Sequence, residues 1–239
     1  MQIADGIHRM GTRFINWFLV EDGGKITVVD SGLTGYYRQL PAELSRLGKA
    51  LQDVEAVVLT HNHIDHLGSA ERTRRESGCI VMAPAPDAPV IRGEVKAKPP
   101  PGLMKNIFTH AKGVRYFAHV LANGGPKLPP VAELREFGDG EVLDVPGAPR
   151  VIHMPGHTPG HCALFFEKKG ALFTGDGLVT LDPPTGATGP RIVSAATDIA
   201  QARDSLSQIS GVKASLLLGS HGEPWTKGVD EAVTIARGR

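Results

Sequence analysis

Residues 54 to 68 read VEAVVLTHNHIDHLG. The run from Val54 to Leu59 is apolar apart from Glu55 and rich in β-branched side chains, which is the pattern of a buried strand. It leads straight into His61, His63, Asp65 and His66, an HxHxDH array. Imidazole nitrogen and carboxylate oxygen are ligands of Zn²⁺, Mn²⁺ and Fe²⁺, and in a loop leaving a strand an i, i+2 pair can turn two rings to one side. Asp65 and His66 can then face a second ion. A purely structural histidine cluster is the weaker account, because cations are disfavoured at the positive end of a helix unless a metal or an anion is held there.

Outward from this array, both flanks read as short elements joined by turns. On the N-terminal side, Phe14 to Val20 and Ile26 to Val29 are β-rich runs around Asp22-Gly23-Gly24, a hairpin signature. A short helix from Pro41 to Leu47 follows, with Leu40, Leu44 and Leu47 on one face. Beyond the array, Ser69 to Glu76 is helix-prone and stops at Gly78, and Cys79 to Ala83 is another strand.

Residues 84 to 130 break the rhythm with prolines around one helix-capable stretch, Leu103 to Ala118, and read as an insertion. Short strands are then predicted at Glu133 to Phe137, Glu141 to Val145, Arg150 to Met154, Cys162 to Glu167 and Ala171 to Thr174. A helix from Asp198 to Ile209, a strand from Ala214 to Leu218 and a helix near Val229 to Ala236 complete the order. The expected fold is α+β, a four-layer αββα sandwich of two mixed β-sheets with helices on the outer faces. It is read as a single domain over 1–239 that carries the Pro-rich insertion at about 84–130.

Composition bounds the function. Apolar residues at 41% exclude disorder, while 29 Gly and 18 Pro argue against an all-helical bundle. With 26 basic against 25 acidic residues the net charge is +1, which gives no support for nucleic acid or a membrane surface as partner. A small-molecule substrate is the expected partner. The opening MQIADGIHRM lacks the apolar core of a signal peptide, and the expected location is the cytoplasm. Cys79 and Cys162 form no metal-type cluster and read as buried thiols.

Four ligands seldom saturate two ions, and three further candidates follow strands. His157 lies in MPGHTPGH, Asp176 ends ALFTGD, and His221 sits in LLLGSHGEP, each where a sheet delivers polar groups to one rim. Asp30 also ends a strand and is read as a carboxylate that orients a ligand ring or the 61–66 loop, the alternative being a turn cap before Ser31-Gly32. His161 is read as a brace for the loop around His157. His8, His110, His119 and His153 have no motif around them.

In combination HxHxDH at 61–66, GHTPGH at 156–161, GD at 175–176, GSHGEP at 219–224 and VVDSG at 28–32 resemble the metallo-β-lactamase-fold hydrolases, in the glyoxalase II and lactonase-like branch, over nearly the whole chain. The resemblance implies a dinuclear site, with two zinc ions or alternatively manganese or iron. His61, His63 and His157 would bind one ion, Asp65, His66 and His221 the other, with Asp176 bridging. Asp65 and Asp176 are the carboxylates expected in the chemistry, which would be cleavage of an ester, thioester, lactone or related carbonyl bond by a metal-bridging hydroxide.

Within the resemblance, zinc β-lactamases lack the bridging aspartate. Phosphodiester-cleaving members usually carry Gly where this chain has Ile64, and lactonases carry Tyr where it has Val179. Persulfide dioxygenases, which use a single iron, are the oxidoreductase alternative. Met104, Ile107, Phe108, Tyr116 and Phe117 in the insertion suit either a lid over an apolar substrate or a surface contact. Trp225 suits either a wall of the same pocket or the core.

Overall fold

In a computed structural model of the chain, residues 1–125 and 129–239 are described, so Pro126 of the predicted insertion lies outside the described residues. The first sheet contains β1 (Gln2–Ala4), β2 (Ile7–Gly11), β3 (Asn16–Asp22), β4 (Lys25–Val29), β5 (Val54–Val58), β6 (Ile80–Pro84) and β7 (Arg135–Phe137), in that order. Neighbours are antiparallel from β1 to β4 and parallel from β4 to β7. The later strands are β8 (Arg150–His153), β9 (Cys162–Phe166), β10 (Ala171–Gly175), β11 (Val179–Asp182), β12 (Ala187–Arg191) and β13 (Leu216–Gly219). Four of them form the second sheet in the order β13-β10-β9-β8, and β11 pairs with β12 as a separate ribbon.

Parallel neighbours need crossovers, and helices supply them. The helices are α1 (Gln39–Arg46), α2 (Ile64–Leu67), α3 (Ala70–Ser77), α4 (Ala88–Ile91), α5 (Leu103–Thr109), α6 (Ala111–Ala122), α7 (Ile199–Ser205) and α8 (Val229–Arg237). Phe18, Val20, Val29, Val58 and Met82 of the first sheet meet Val151, Leu164, Phe166, Phe173 and Leu218 of the second in one buried layer. The outer face of the first sheet, with Leu19, Val28, Val57 and Val81, is covered by Leu40 and Leu44 of α1 and Ala70 of α3. The outer face of the second, with Ile152, Phe165, Leu172 and Leu217, packs on Leu206 and on Ala232, Val233 and Ala236 of α8. This is the expected αββα sandwich.

Val57 and Val58 point to opposite faces, and both are fully buried, which is why β5 is apolar on both faces apart from the exposed Glu55. Each such aliphatic side chain contributes roughly 1.5–3 kcal/mol by burial. Gly78, at φ +80°, ends α3 where the sequence places a stop.

Several boundaries differ from expectation. The single helix expected at 103–118 is two, α5 and α6, separated by His110 in an extended conformation. Residues 141–145 alternate like a strand but hold only an isolated bridge, Val142 to Arg150, because Pro146 and Gly147 turn the chain away. The predicted helix from Asp198 begins after it, with the Asp198 carboxylate accepting from the Gln201 N–H at 2.9 Å. Cys79 and Cys162 are free and buried. Among the described residues, no helix is long and apolar enough to cross a membrane.

Candidate metal centre

The array of residues 61–66 begins just beyond the end of β5 and runs into the single turn of α2, which puts it at one rim of the sandwich. The loops after β8, β10 and β13 bring His157, Asp176 and His221 to the same rim. The donor atoms of His61, His63, His157 and Asp176 lie within 4.8 Å of one another, and so do those of Asp65, His66 and His221. All seven sequence-predicted ligand candidates therefore converge, in two groups. Asp176 joins them: one carboxylate oxygen is 3.1 Å from His157 Nε2, and the other is 3.2 Å from His221 Nε2 and 3.4 Å from His66 Nε2.

The surroundings fix which ring nitrogens face the centre. His66 Nδ1 is 2.8 Å from Asp30 Oδ2, and a carboxylate only accepts, so Nδ1 carries the hydrogen and Nε2 is turned inward. The Thr60 hydroxyl and N–H both donate to Asp30, so the hydroxyl oxygen is left to accept from His61 Nδ1 at 3.0 Å. His221 Nδ1 donates to the Phe14 carbonyl. His61 Nε2, His66 Nε2 and Asp176 Oδ1 are buried without a hydrogen-bond partner. Such orphans are costly, and a cation is the partner that lone pairs on two imidazoles and a carboxylate share. The donor set therefore fits divalent metal ions.

Electrostatics divides the rings. Burial and the neighbouring imidazoles hold His61 well below the ordinary histidine range, and burial with His157 lowers His63 to about 3. Burial opposes charge on His66 and His221 as well, but the carboxylates of Asp176, Asp30 and Asp65 outweigh it at His66, and those of Asp176 and Asp65 at His221, so both are raised. Burial would raise the Asp176 carboxyl, yet His221, His66 and His157 hold it well below the carboxylate range.

Asp30 adopts φ +56°, a left-handed conformation rare for a residue other than glycine, while bonding both Thr60 and His66. These bonds support the reading of Asp30 as a brace, and its left-handed backbone also suits the alternative of a turn before Ser31-Gly32. His161 braces the Asp176 side as well as its own loop. Its Nδ1 donates to the Met154 carbonyl at 3.1 Å, and its Nε2 accepts from the N–H groups of Asp176 and Gly177, both at 3.1 Å. Those bonds require the neutral ring, and burial accordingly lowers His161 to about 3. A Cβ on Gly175, at φ +50°, would lie 2.7 Å from that Nε2, so only glycine lets the turn close.

Sequence reasoning missed Asp87 and the bond that Tyr116 makes. Asp87, fully buried on the turn after β6, accepts hydrogen bonds from Asn62, Thr158 and Gly160. The signal was an acid buried in the proline-rich APAPDAP, which carries no ligand spacing. Tyr116 of α6 donates its hydroxyl to Asp65 Oδ2 at 2.8 Å, and burial followed by the Asp65 charge pushes its phenol well above the usual range. The contact crosses 51 residues of sequence.

A cavity of about 330 Å³ opens over the centre, and Met104, Ile107, Tyr116 and Phe117 line it. Phe108 does not: it is 58% exposed and meets only the edge of Phe117, with ring centroids 5.7 Å apart. Trp225 packs with the outer core of the second sheet and does not wall the cavity. His8 and His119 lie away from the centre, His8 near Glu43 and His119 bonded to Tyr36, while His110 and His153 bond backbone carbonyls.

A family model described as the metallo-beta-lactamase superfamily matches residues 10–221. The chain is 28% identical over 218 residues to a probable metallo-hydrolase, YybB, of Bacillus subtilis (strain 168), spanning 87% of this chain and 80% of that protein. It is 28% identical over 171 residues to a hydroxyacylglutathione hydrolase of Cereibacter sphaeroides (strain ATCC 17029 / ATH 2.4.9), which covers 69% of this chain but only 48% of that relative. The solved structure of the metallo-beta-lactamase family protein TTHA1429 from Thermus thermophilus superposes with a TM-score of 0.69 at 22% identity, over 99% of this chain and 80% of that one. At that identity the structural likeness speaks for the fold alone.

Proposed function

Since the chain belongs to the metallo-beta-lactamase superfamily, we propose that it is a dinuclear metal-dependent hydrolase of an ester, thioester, lactone or related carbonyl bond in a small-molecule substrate. His61, His63 and His157 would hold one ion, Asp65, His66 and His221 the other, and Asp176 would be shared between the two groups. The observation that carries this reading is the set of buried, partnerless donor atoms on His61, His66 and Asp176, with the two rings aimed at one centre by Thr60 and Asp30 behind them. Two divalent ions bound there, zinc by preference, would supply Lewis acidity and activate water near neutral pH.

The protein's part is positioning. Asp30, Thr60 and the Phe14 carbonyl hold three imidazoles in the tautomer that presents Nε2, so no ring must reorganise during the reaction. His161 keeps the Asp176 turn in register through two backbone N–H groups. The cavity walls exclude bulk water and orient the acyl carbonyl over the centre. Water adds to that carbonyl, the bond from acyl carbon to oxygen, sulfur or nitrogen breaks, and the leaving group departs with a proton. The relative named as a hydroxyacylglutathione hydrolase supports a thioester within this class.

Metal analysis of protein purified without added metal should give close to two zinc or manganese ions per chain. A panel of ester, thioester, lactone, β-lactam and phosphodiester substrates should then show turnover of carbonyl substrates. One iron per chain with no zinc or manganese would replace this reading with the persulfide dioxygenase chemistry.

A further inference from the structure

We infer that the substrate carries an uncharged aliphatic chain of medium length on the acyl side of the scissile bond. This rests on the hydrolase reading above. Beyond the ligand floor, the cavity wall is built from Leu103, Met104, Ile107, Phe117, Pro184 and Val193, drawn from α5, α6 and the segment around β11 and β12. Its polar lining outside the ligand candidates is Asn62, Tyr116 and Lys98. The Tyr116 hydroxyl is already committed to Asp65, and Lys98 is exposed at the mouth. Beyond the reach of the exposed Lys98, an ionic substituent entering this space would lose water and meet chiefly apolar side chains. An aliphatic chain gains from every buried methylene. A cavity of about 330 Å³ has room for a chain of several carbons beside the carbonyl.

The test is a chain-length series of p-nitrophenyl esters, from acetate to dodecanoate, on the protein as purified. kcat/KM should rise about fourfold per methylene to near octanoate and then level off. Calorimetric affinity for the matching 2-alkanones should follow the same slope, and Phe117→Ala should flatten both series. A carboxylate at the far end of the chain should cost more than tenfold. A flat series with an active acetate ester, or preference for the terminal carboxylate, would overturn this inference alone. Lack of turnover on every ester, thioester and lactone in protein holding two metals would instead overturn the hydrolase reading.

A separate observation assigns a role to Asp87, a clasp that sets the distance between the two loops holding His61, His63 and His157. One oxygen accepts from the Gly160 N–H at 2.8 Å, and the other from the Asn62 N–H at 3.0 Å and the Thr158 hydroxyl at 2.7 Å. Asn62 stands between two of the ligand candidates, and Thr158 follows the third. A Cβ on Gly160 would come within 2.7 Å of the same carboxylate, so glycine is what lets the loop dock. Asp87 touches no ligand and is a positioning residue. Asp87→Asn keeps the shape but loses one acceptor side.

Cobalt titration followed by visible absorption should show the His61, His63 and His157 site weakened 10–100-fold in Asp87→Asn, with the other site within about threefold. Thr158→Val removes one of the three bonds and should give a smaller, equally selective loss. Equal weakening at both sites, or none at either, would overturn the clasp. A wild-type protein that takes up no cobalt would overturn the metal reading instead.

Discussion

The floor and the roof of the cavity are built by different rules. The floor is made of strand-end loops from both sheets; six of the seven ligand candidates on it are buried, and three are held by a partner behind the ring, Thr60 behind His61, Asp30 behind His66 and Phe14 behind His221. The roof is α5 and α6, whose side chains include the exposed Met104, Phe108, Val114 and Leu121. Its one hydrogen bond to a ligand candidate runs from Tyr116 to Asp65. A site proposed to hold two cations at fixed separation would need rigid support, whereas a surface proposed to receive an apolar chain would need shape and little polar bonding. Chemistry should therefore depend on the floor, and selectivity on the roof.

The largest effect should come from the residue shared by both groups on the floor. Asp176→Ala removes a carboxylate that lies within 3.4 Å of His66, His157 and His221 at once. Metal content should fall at both positions and turnover should drop a hundredfold or more, read by elemental analysis and steady-state kinetics. Normal metal content in that variant would break the assignment of Asp176 as the bridge.

A brace should matter less than a ligand. Asp30→Asn tolerates the left-handed backbone but cannot accept from both Thr60 and His66 as the carboxylate does. Metal affinity should fall 10–100-fold, with the loss measured by competition with a chelator. An unchanged affinity would mean that Asp30 serves only to turn the chain before Ser31.

The contrast between floor and roof also explains what was legible in the sequence. HxHxDH, His157, Asp176 and His221 were readable because metal chemistry restricts residue type, and strand ends are marked by apolar runs halting at glycine and polar residues. Asp87 was not, since a buried acid satisfied by backbone and hydroxyl donors leaves no spacing rule. The break between α5 and α6 was hidden because Thr109, His110 and Ala111 are all compatible with a helix and only tertiary packing opens the backbone at His110. The first strands were overlooked although Asp5-Gly6 joins them, with Gly6 at φ +65°, because three- and five-residue strands give little periodicity. The ribbon of β11 and β12 was masked by Pro183, Pro184 and Pro190, which read as loop.

Cutting the hydrogen bond between roof and floor tests whether the two are independent. Tyr116→Phe keeps the ring, which packs edge-on to Phe14 at 6.2 Å, and removes only the hydroxyl that donates to Asp65. Metal content should stay at the wild-type level while kcat/KM falls about threefold to tenfold, the range of a net hydrogen-bond contribution of about 0.5–1.5 kcal/mol. A loss of metal comparable to that in Asp30→Asn would show that the roof holds the metal too, and the division would fail.

The smallest effect is expected from Phe108, the one aromatic of the insertion that faces away from the cavity. At 58% exposure it has little burial to lose, and its contact with Phe117 is an edge interaction at 5.7 Å and 66°. Aromatic pairs of that kind contribute about 0.5–1.5 kcal/mol, and less where water already reaches one ring. Phe108→Ala should lower the melting temperature by a few degrees at most and leave the ratio of octanoate to acetate ester hydrolysis within about twofold. Because Phe117 lines the wall and Phe108 only leans on it, the two variants share a helix pair but not a cavity. If Phe108→Ala flattened the chain-length series as Phe117→Ala is expected to, the packing of α5 on α6 would itself set the shape of the pocket. The roof would then need internal bracing of its own, as the floor does.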